Sequence, residues 1–237
     1  MPQLFAGTSG FSYQAWKPEF YPQDLPARRF LEYYATRLNS VEVNYTFRQM
    51  PSAKTLEGWL AATPPGFAFA CKAHMRLTHV MKLRDAASFT EDFLRSLEPL
   101  RATRRIGPVL YQFAPSFKCD VARLDEYLPL LPRDMRFAFE FRHESWLADP
   151  VYERLAKFNV ALCLAESERL VVPKVFTAGF GYFRLRQGDY SEEARAKIAA
   201  TVERLIHDGR DVFVYFKHED DPRGAVWAEE LLKRVSG

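Results

Sequence analysis

The sequence predicts an α/β fold consisting of a single TIM-like (β/α)₈ barrel domain over residues 1–237. Its length suits one such domain, eight short apolar runs recur along it, and helix-like stretches alternate with them. A content of 48% hydrophobic and 27% charged residues is typical of a globular protein. A doubly wound open sheet is the alternative architecture for the same alternation.

Eight segments rich in β-branched and aromatic residues are predicted to be strands. Apolar runs of this length between turn signals are typical of strands buried on both faces. They lie at 3–9, 40–47, 67–73, 107–113, 136–142, 160–166, 180–186 and 211–218.

Helices are predicted between most of these strands. Pro64-Pro65-Gly66 separates a helical stretch from the strand that follows, and Gly209 ends a long helix because glycine accepts left-handed backbone geometry. The sixth connection, 167–179, is predicted to be irregular or only briefly helical. The predicted helices lie near 26–38, 52–62, 88–101, 120–130, 148–158, 191–208 and 222–235.

Composition narrows the functional classes. A formal net charge of +3 is too small to indicate a nucleic-acid-binding protein by charge alone. The sequence shows no secretory signal and no apolar run near the ~20 residues of a membrane helix. Cys71, Cys119 and Cys163 are odd in number and widely spaced, which argues against a disulfide framework or a thiolate zinc site. We therefore expect a cytoplasmic protein that does not bind membranes.

Alternation within the predicted strands indicates which polar side chains face the barrel interior. In the fifth strand, Phe137, Phe139 and Phe141 share the face suited to helix packing, so Glu140 and Arg142 should point inward or toward the upper mouth. The same test on the other strands selects Ser9, Glu42, Asn44, Lys72, Gln112, Arg184, Arg186, Tyr215 and Lys217.

Cations outnumber carboxylates in this set. Burying an unpaired charge costs several kcal/mol, so these groups must pair with one another, contact water or bind a ligand. A self-satisfied salt-bridge network is one outcome. An anionic ligand is the other, and arginine suits carboxylate or phosphate groups through its planar donors.

Two residues of the set are candidates for catalysis. Glu140 is the preferred general acid or base, and Lys72 could act as a nucleophile if its pKa were lowered. Further substrate contacts are expected from Tyr13 in the loop after the first strand, from His79 after the third, and from His143 and Trp146 after the fifth.

A metal site is considered and not favoured. His74, His79, His143 and His218 could all reach one mouth, together with carboxylates such as Glu166. No HExxH or similarly diagnostic spacing accompanies them. The cofactor is therefore left open, with a divalent metal as one option.

Several ordered blocks resemble the domain of unknown function 72 family, also called YecE-like. These blocks are GTSGFSYQAW at 7–16, VEVNYTF at 41–47, Lys72 through Thr78-His79, LYQFAPSF at 110–117 and EFRHESW at 140–146. The resemblance implies a TIM-barrel-like fold and brings no settled activity. Two segments, 184–187 and 216–220, depart from the family's common pattern and make this pocket more cationic.

Three functions remain open at this point. The leading hypothesis is an enzyme acting on a small anionic substrate, such as a phosphorylated metabolite. The second is a divalent-metal-dependent sugar isomerase or phosphodiesterase, and the third is a non-catalytic module that binds nucleic acid or protein. No heptad or interface motif indicates an oligomeric state.

Overall fold

The computed structural model describes residues 1–217 and 219–236, and parallel strands alternate with helices along them. The strands of this described part are β1 Leu4–Thr8, β2 Ser40–Val43, β3 Ala68–Lys72, β4 Ile106–Gln112, β5 Phe137–Glu140, β6 Val160–Leu162, β7 Leu164–Ala165, β8 Phe180–Leu185 and β9 Asp211–Phe216. The α-helices are α1 Phe30–Arg37, α2 Tyr45–Arg48, α3 Ala53–Ala61, α4 Ala87–Ser96, α5 Glu98–Ala102, α6 Val121–Tyr127, α7 Asp149–Lys157, α8 Glu192–His207 and α9 Arg223–Ser236.

The strands form two parallel sheets. In the described chain, one sheet has four strands in the order β1-β9-β8-β7 and the other has five in the order β2-β3-β4-β5-β6. The sheets meet where Ser9 forms a parallel bridge with Glu42, and the Gly10 amide donates to the Glu42 carbonyl at 2.9 Å. The α/β class and the parallel strand arrangement are therefore confirmed.

Two strand predictions need correction. The predicted strand 40–47 ends at Val43, and the chain turns into α2 from Tyr45. The predicted strand 160–166 is divided at Cys163 into β6 and β7, which belong to different sheets. The Cys163 amide still donates to the Phe139 carbonyl at 2.9 Å, so the chain stays hydrogen-bonded to β5 across the break.

Side-chain size explains how the strands pack on both faces. One cluster of buried residues joins small side chains of the five-stranded sheet, such as Ala70 and Ala138, to Tyr182 and Tyr215 of the four-stranded sheet. The opposite strand faces carry bulky side chains, such as Phe69 and Phe139, that belong to the larger core. The small side chains of one sheet thus leave room for the tyrosine rings of the other sheet, and the bulky side chains on the opposite faces fill the layer outside the sheets.

A glycine allows the two sheets to approach where β1 passes β2. A Cβ atom on Gly7 would lie 1.8 Å from the carbonyl oxygen of Ser40. The Tyr34 hydroxyl connects the same two strands, because it accepts from the Thr8 amide at 2.8 Å and donates to the Ser40 carbonyl at 2.9 Å.

The sixth connection has no helix between β7 and β8 within the described chain, as predicted. Residues 166–172 and 174 instead border a cleft of about 1150 Å³, whose walls include Leu164, Phe183, Leu185 and Ile198. Elsewhere, α3, α6 and α8 begin at side-chain caps: the oxygens of Ser52, Asp120 and Ser191 each accept a backbone amide of the first turn. No described helix is both long and apolar enough to cross a lipid bilayer.

Candidate functional site

A buried arginine connects carboxylates from both sheets near the carboxyl ends of the strands. Arg184 on β8 places Nη2 2.6 Å from Glu42 Oε1 and Nη1 2.6 Å from Glu140 Oε2. All three residues are almost fully buried. An ion pair this deeply buried is retained only with close geometry and full hydrogen bonding, so the surrounding donors matter.

Hydroxyl groups complete the surroundings of Glu42. Ser9 Oγ donates to Glu42 Oε1 at 2.6 Å, and the Tyr182 hydroxyl donates to Oε2 at 2.7 Å. Asn44 Nδ2 and Arg184 Nη2 in turn donate to Ser9 Oγ at 3.1 and 3.2 Å. Burial raises the pKa of Tyr182 well above its usual value, so its proton remains available to the carboxylate.

Glu140 is surrounded by donors. Gln112 Nε2 donates to it at 2.8 Å, Arg142 Nε at 3.0 Å and Arg186 Nη2 at 3.2 Å, in addition to Arg184. Burial opposes ionisation of Glu140, but the neighbouring arginines and these hydrogen bonds outweigh it and lower its pKa. A carboxylate so held is poorly suited to the acid/base role expected from the sequence, because it stays ionised and its oxygens are occupied.

We call the side chains connected by these contacts the central cluster. It consists of Ser9, Glu42, Asn44, Gln112, Glu140, Arg142, Tyr182, Arg184 and Arg186. Tyr182 was not selected from the sequence, although it shares the alternation of Arg184 and Arg186, which was a usable signal.

Arg142 and Arg186, which we call the outer arginines, keep donors that no described residue uses. Arg142 contacts Glu140 through Nε, and its Nη1 and Nη2 find no acceptor among the described residues. Arg186 contacts Glu140 through Nη2, while its Nε is buried without a hydrogen-bond partner in the same set. Their side chains are 34% and 19% exposed, so solvent reaches both.

Lys72 lies at the end of β3 beside this cluster. Its Nζ is 3.9 Å from the ring centroid of Phe47, and it forms no ion pair or hydrogen bond with any described residue. Burial lowers the pKa of Lys72 to about 8, and the charge of Arg184 acts in the same direction. The lysine therefore meets the condition under which the sequence suggested a nucleophile.

His79 approaches the same phenyl ring from a π-helical turn, Arg76–Val80. Its imidazole is 5.2 Å from the Phe47 ring centroid, and its Nδ1 is 2.9 Å from Thr78 Oγ1. Burial and the nearby charge of Lys72 lower the pKa of His79, which keeps the imidazole neutral near pH 7. Phe47 was not selected from the sequence.

Two selected residues lie at the edge of the site. The Tyr13 hydroxyl donates to the Ser9 carbonyl at 2.9 Å, and burial raises its pKa to about 12. Lys217 is exposed, with Nζ 3.5 Å from Glu219, and it lines the cleft beside β8 together with Arg186.

Three other selected residues have contacts outside the central cluster. Tyr215 is fully buried, with its hydroxyl 2.7 Å from Ser40 Oγ. Trp146 is also fully buried and donates through Nε1 to the Phe117 carbonyl at 2.7 Å. His143 accepts the Ser145 amide through Nδ1 at 3.2 Å. These contacts give Trp146 a packing role and His143 a capping role.

The described residues provide no set of ligands for a divalent metal. Within 1–217 and 219–236, no three His, Cys, Asp or Glu side chains stand together in a metal-binding arrangement. His218, one of the candidate ligands, lies outside these residues. Cys71, Cys119 and Cys163 form no disulfide, and burial raises the pKa of each thiol.

Comparisons with known proteins assign the chain to a family. Residues 5–237 match the family model described as "Protein of unknown function DUF72". The chain is 30% identical over 148 residues to the UPF0759 protein YunF of Bacillus subtilis, a match that covers 60% of the chain and 52% of that protein. The chain thus spans about half the length of the curated relative it matches.

Solved structures give the same result. The DUF72 protein TM1631 of Thermotoga maritima superposes with a TM-score of 0.86 at 29% identity, covering 99% of this chain and 100% of that one. The DUF72 protein EF0366 of Enterococcus faecalis gives 0.80 at 19% identity, with 100% and 96% covered. An AP endonuclease, family 2, from Brucella melitensis gives 0.54 at 12% identity, with 100% and 98% covered, a likeness of fold alone. The chain belongs to the DUF72 family.

Proposed function

We propose that this chain is an enzyme that binds a small anionic substrate, such as a phosphorylated metabolite, at the mouth of a single closed eight-stranded barrel. The Ser9–Glu42 bridge and the hydrogen bond across the break at Cys163 support the barrel, because each retains contact where the two sheets adjoin. The substrate would approach at the carboxyl ends of the strands, the usual position of the active site in such barrels.

The observation that carries this proposal is the surplus of cations with unused donors. The central cluster and Lys72 contain two carboxylates against three arginines and one lysine. Glu166 adds a third carboxylate nearby, but it accepts the backbone amides of Arg186 and Gln187 and the Tyr190 hydroxyl. A bound anion would satisfy the free donors of Arg142 and Arg186 and balance the remaining charge.

The roles within the site follow from exposure and pairing. Arg184, Glu42 and Glu140 form the buried support, and Glu140 holds the two outer arginines in place. Arg142 and Arg186 bind the anion. Lys72, whose amine is unpaired within the described chain and whose pKa is lowered to about 8, carries the chemistry.

The two alternatives have no specific observation in their favour. The described residues supply no cluster of metal ligands, and the likeness to an AP endonuclease is one of fold. A nucleic-acid-binding module would need a broad basic surface, whereas the net charge is only +3 and Lys72, Arg142 and Arg186 lie close together around Glu140.

Binding of inorganic phosphate tests the proposal. The Arg142→Gln/Arg186→Gln double variant should lose at least about tenfold in phosphate affinity, because hydrogen bonds to charged groups contribute roughly 1.5–3 kcal/mol each. Isothermal titration calorimetry at constant ionic strength measures this loss.

Arg133→Gln is the control for loss of a cation outside the site. Arg133 is exposed and precedes β5, so the substitution also removes cationic charge, but at the other end of the strands. It should bind phosphate as the parent protein does. Equal phosphate binding by all three proteins, or none by the parent, would refute the anion site.

A further inference from the structure

Lys72 differs from the other cations of the site in having no polar partner within the described chain. Arg184, Arg142 and Arg186 each contact Glu140, whereas the Lys72 amine packs against the face of Phe47. An amine that packs against an aromatic ring, with no ion pair or hydrogen bond to a described residue, is held in place without being neutralised. Its nitrogen is therefore available to a substrate atom.

A proton carrier lies on the same ring. The His79 imidazole contacts Phe47 edge to face, with their ring centroids 5.2 Å apart. Lys72 Nζ and His79 thus both contact one apolar side chain, and the positive charge of Arg142 lowers the pKa of each. Neutral imidazole can accept a proton from the amine and return it to a departing hydroxyl.

We propose that Lys72 forms an imine with an aldehyde or ketone carbonyl of the anionic substrate. This inference rests on the proposed function, because Arg142 and Arg186 must hold the anionic group while the carbonyl lies at Lys72. It assigns the substrate class as a carbonyl compound that carries a carboxylate or phosphate.

The chemistry balances with the groups present. The lone pair of neutral Lys72 Nζ attacks the carbonyl carbon, and one of the two amine protons passes to the carbonyl oxygen to give a carbinolamine, while the other is the proton that His79 later delivers. The C–O bond then breaks, the hydroxyl leaves as water with a proton delivered by His79, and a C=N bond forms. One amine and one carbonyl thus yield an imine and one water, with no oxidant or reductant.

Two observations favour an amine nucleophile over a lysine that serves only as a point charge. A lysine that binds anions gains from staying protonated, whereas burial here brings the Lys72 pKa to about 8, so roughly a tenth of it is neutral at pH 7. The amine also lies against the apolar Phe47 ring, and an apolar contact on one side of the reaction centre favours loss of water from the carbinolamine.

Reductive trapping tests the inference. The folded protein is incubated with glycolaldehyde phosphate and sodium cyanoborohydride, and the labelled lysines are identified by peptide mass spectrometry. Lys72 should be labelled at least about tenfold faster than the exposed Lys217, and its labelling rate should rise with pH around a midpoint near 8.

Uncharged glycolaldehyde is the matched probe, and it should lose most of the preference for Lys72. Inorganic phosphate should compete with glycolaldehyde phosphate, and the Arg142→Gln/Arg186→Gln variant should label Lys72 slowly. His79→Gln should slow labelling at pH 7 several-fold without weakening phosphate binding, since the imidazole moves protons and does not hold the anion.

The outcomes separate the two proposals. If phosphate binds through the two arginines but Lys72 labels no faster than Lys217, the imine is refuted and the anion site stands. If phosphate does not bind and both aldehydes label Lys72 equally, the proposed function and the substrate class fall together. Selective, phosphate-sensitive labelling of Lys72 supports both.

Discussion

Replacing Lys72 with methionine should stabilise the protein at neutral pH. Burial lowers the pKa of Lys72 from 10.5 to about 8, so the folded chain binds this proton less tightly than the unfolded chain does. At about 1.4 kcal/mol for each pH unit between the two values, the charged lysine lowers the free energy of unfolding by about 3 kcal/mol at pH 7. Methionine fills a similar volume without the charge.

The effect has a defined pH dependence. Below pH 8 the folded and unfolded states both carry the proton, and the full destabilisation is present. Between pH 8 and 10.5 the folded state releases the proton first, so the free energy of unfolding of the parent protein rises with pH. The advantage of Lys72→Met should therefore shrink by about 2 kcal/mol between pH 7 and pH 9.5.

Urea denaturation followed by tryptophan fluorescence measures this difference, since Trp16 and Trp146 are fully buried. Loss of the cation–π contact with Phe47 offsets about 1 kcal/mol of the gain, which leaves about 2 kcal/mol at pH 7. Lys217→Met is the control: its exposed ion pair with Glu219 contributes at most about 1 kcal/mol and should show no such trend. A Lys72→Met protein less stable than the parent by the same amount at both pH values would refute the reasoning.

Two further substitutions test the support of the site. Arg184→Met should lower the free energy of unfolding by about 3–5 kcal/mol, because it leaves Glu42 and Glu140 buried without their shared cation; a loss below about 1 kcal/mol in urea denaturation would contradict this. Gly7→Ala should cost about 3 kcal/mol or more, since its Cβ would lie 1.8 Å from the Ser40 carbonyl oxygen; a melting temperature close to the parent's in a thermal scan would count against the close approach of β1 and β2.

Hydrophobic periodicity located the strands well and their ends poorly. Residues 45–47 are β-prone, yet the chain leaves the sheet after Val43, where pairing with β3 stops at Cys71. The break at Cys163 likewise leaves no sign in the apolar run that contains it. Strand ends depend on the neighbouring strand, and a local pattern carries no information about that neighbour.

Alternation succeeded for the buried part of the site because it requires only the direction of a side chain. Glu42, Glu140 and Arg184 all meet where their parity predicted. Trp146 and His143 belong to a loop that follows β5, where no alternation applies, and their contacts lie outside the central cluster. Alternation also could not predict which side chains pair with one another, because it does not give the number of donors from which one carboxylate accepts hydrogen bonds.

The number of hydrogen-bond donors around Glu140 changes how the role of this carboxylate is interpreted. A sequence with two inward carboxylates and several cations suggests a carboxylate that moves protons. Here Glu140 accepts from Arg142 Nε and Arg186 Nη2, which holds both guanidinium groups beside it and, in the proposed function, limits the entropy lost when an anion binds. In the proposed function the carboxylate is thereby part of the anion site, and Lys72, which has no polar partner within the described chain, has an environment that suits chemistry near neutral pH.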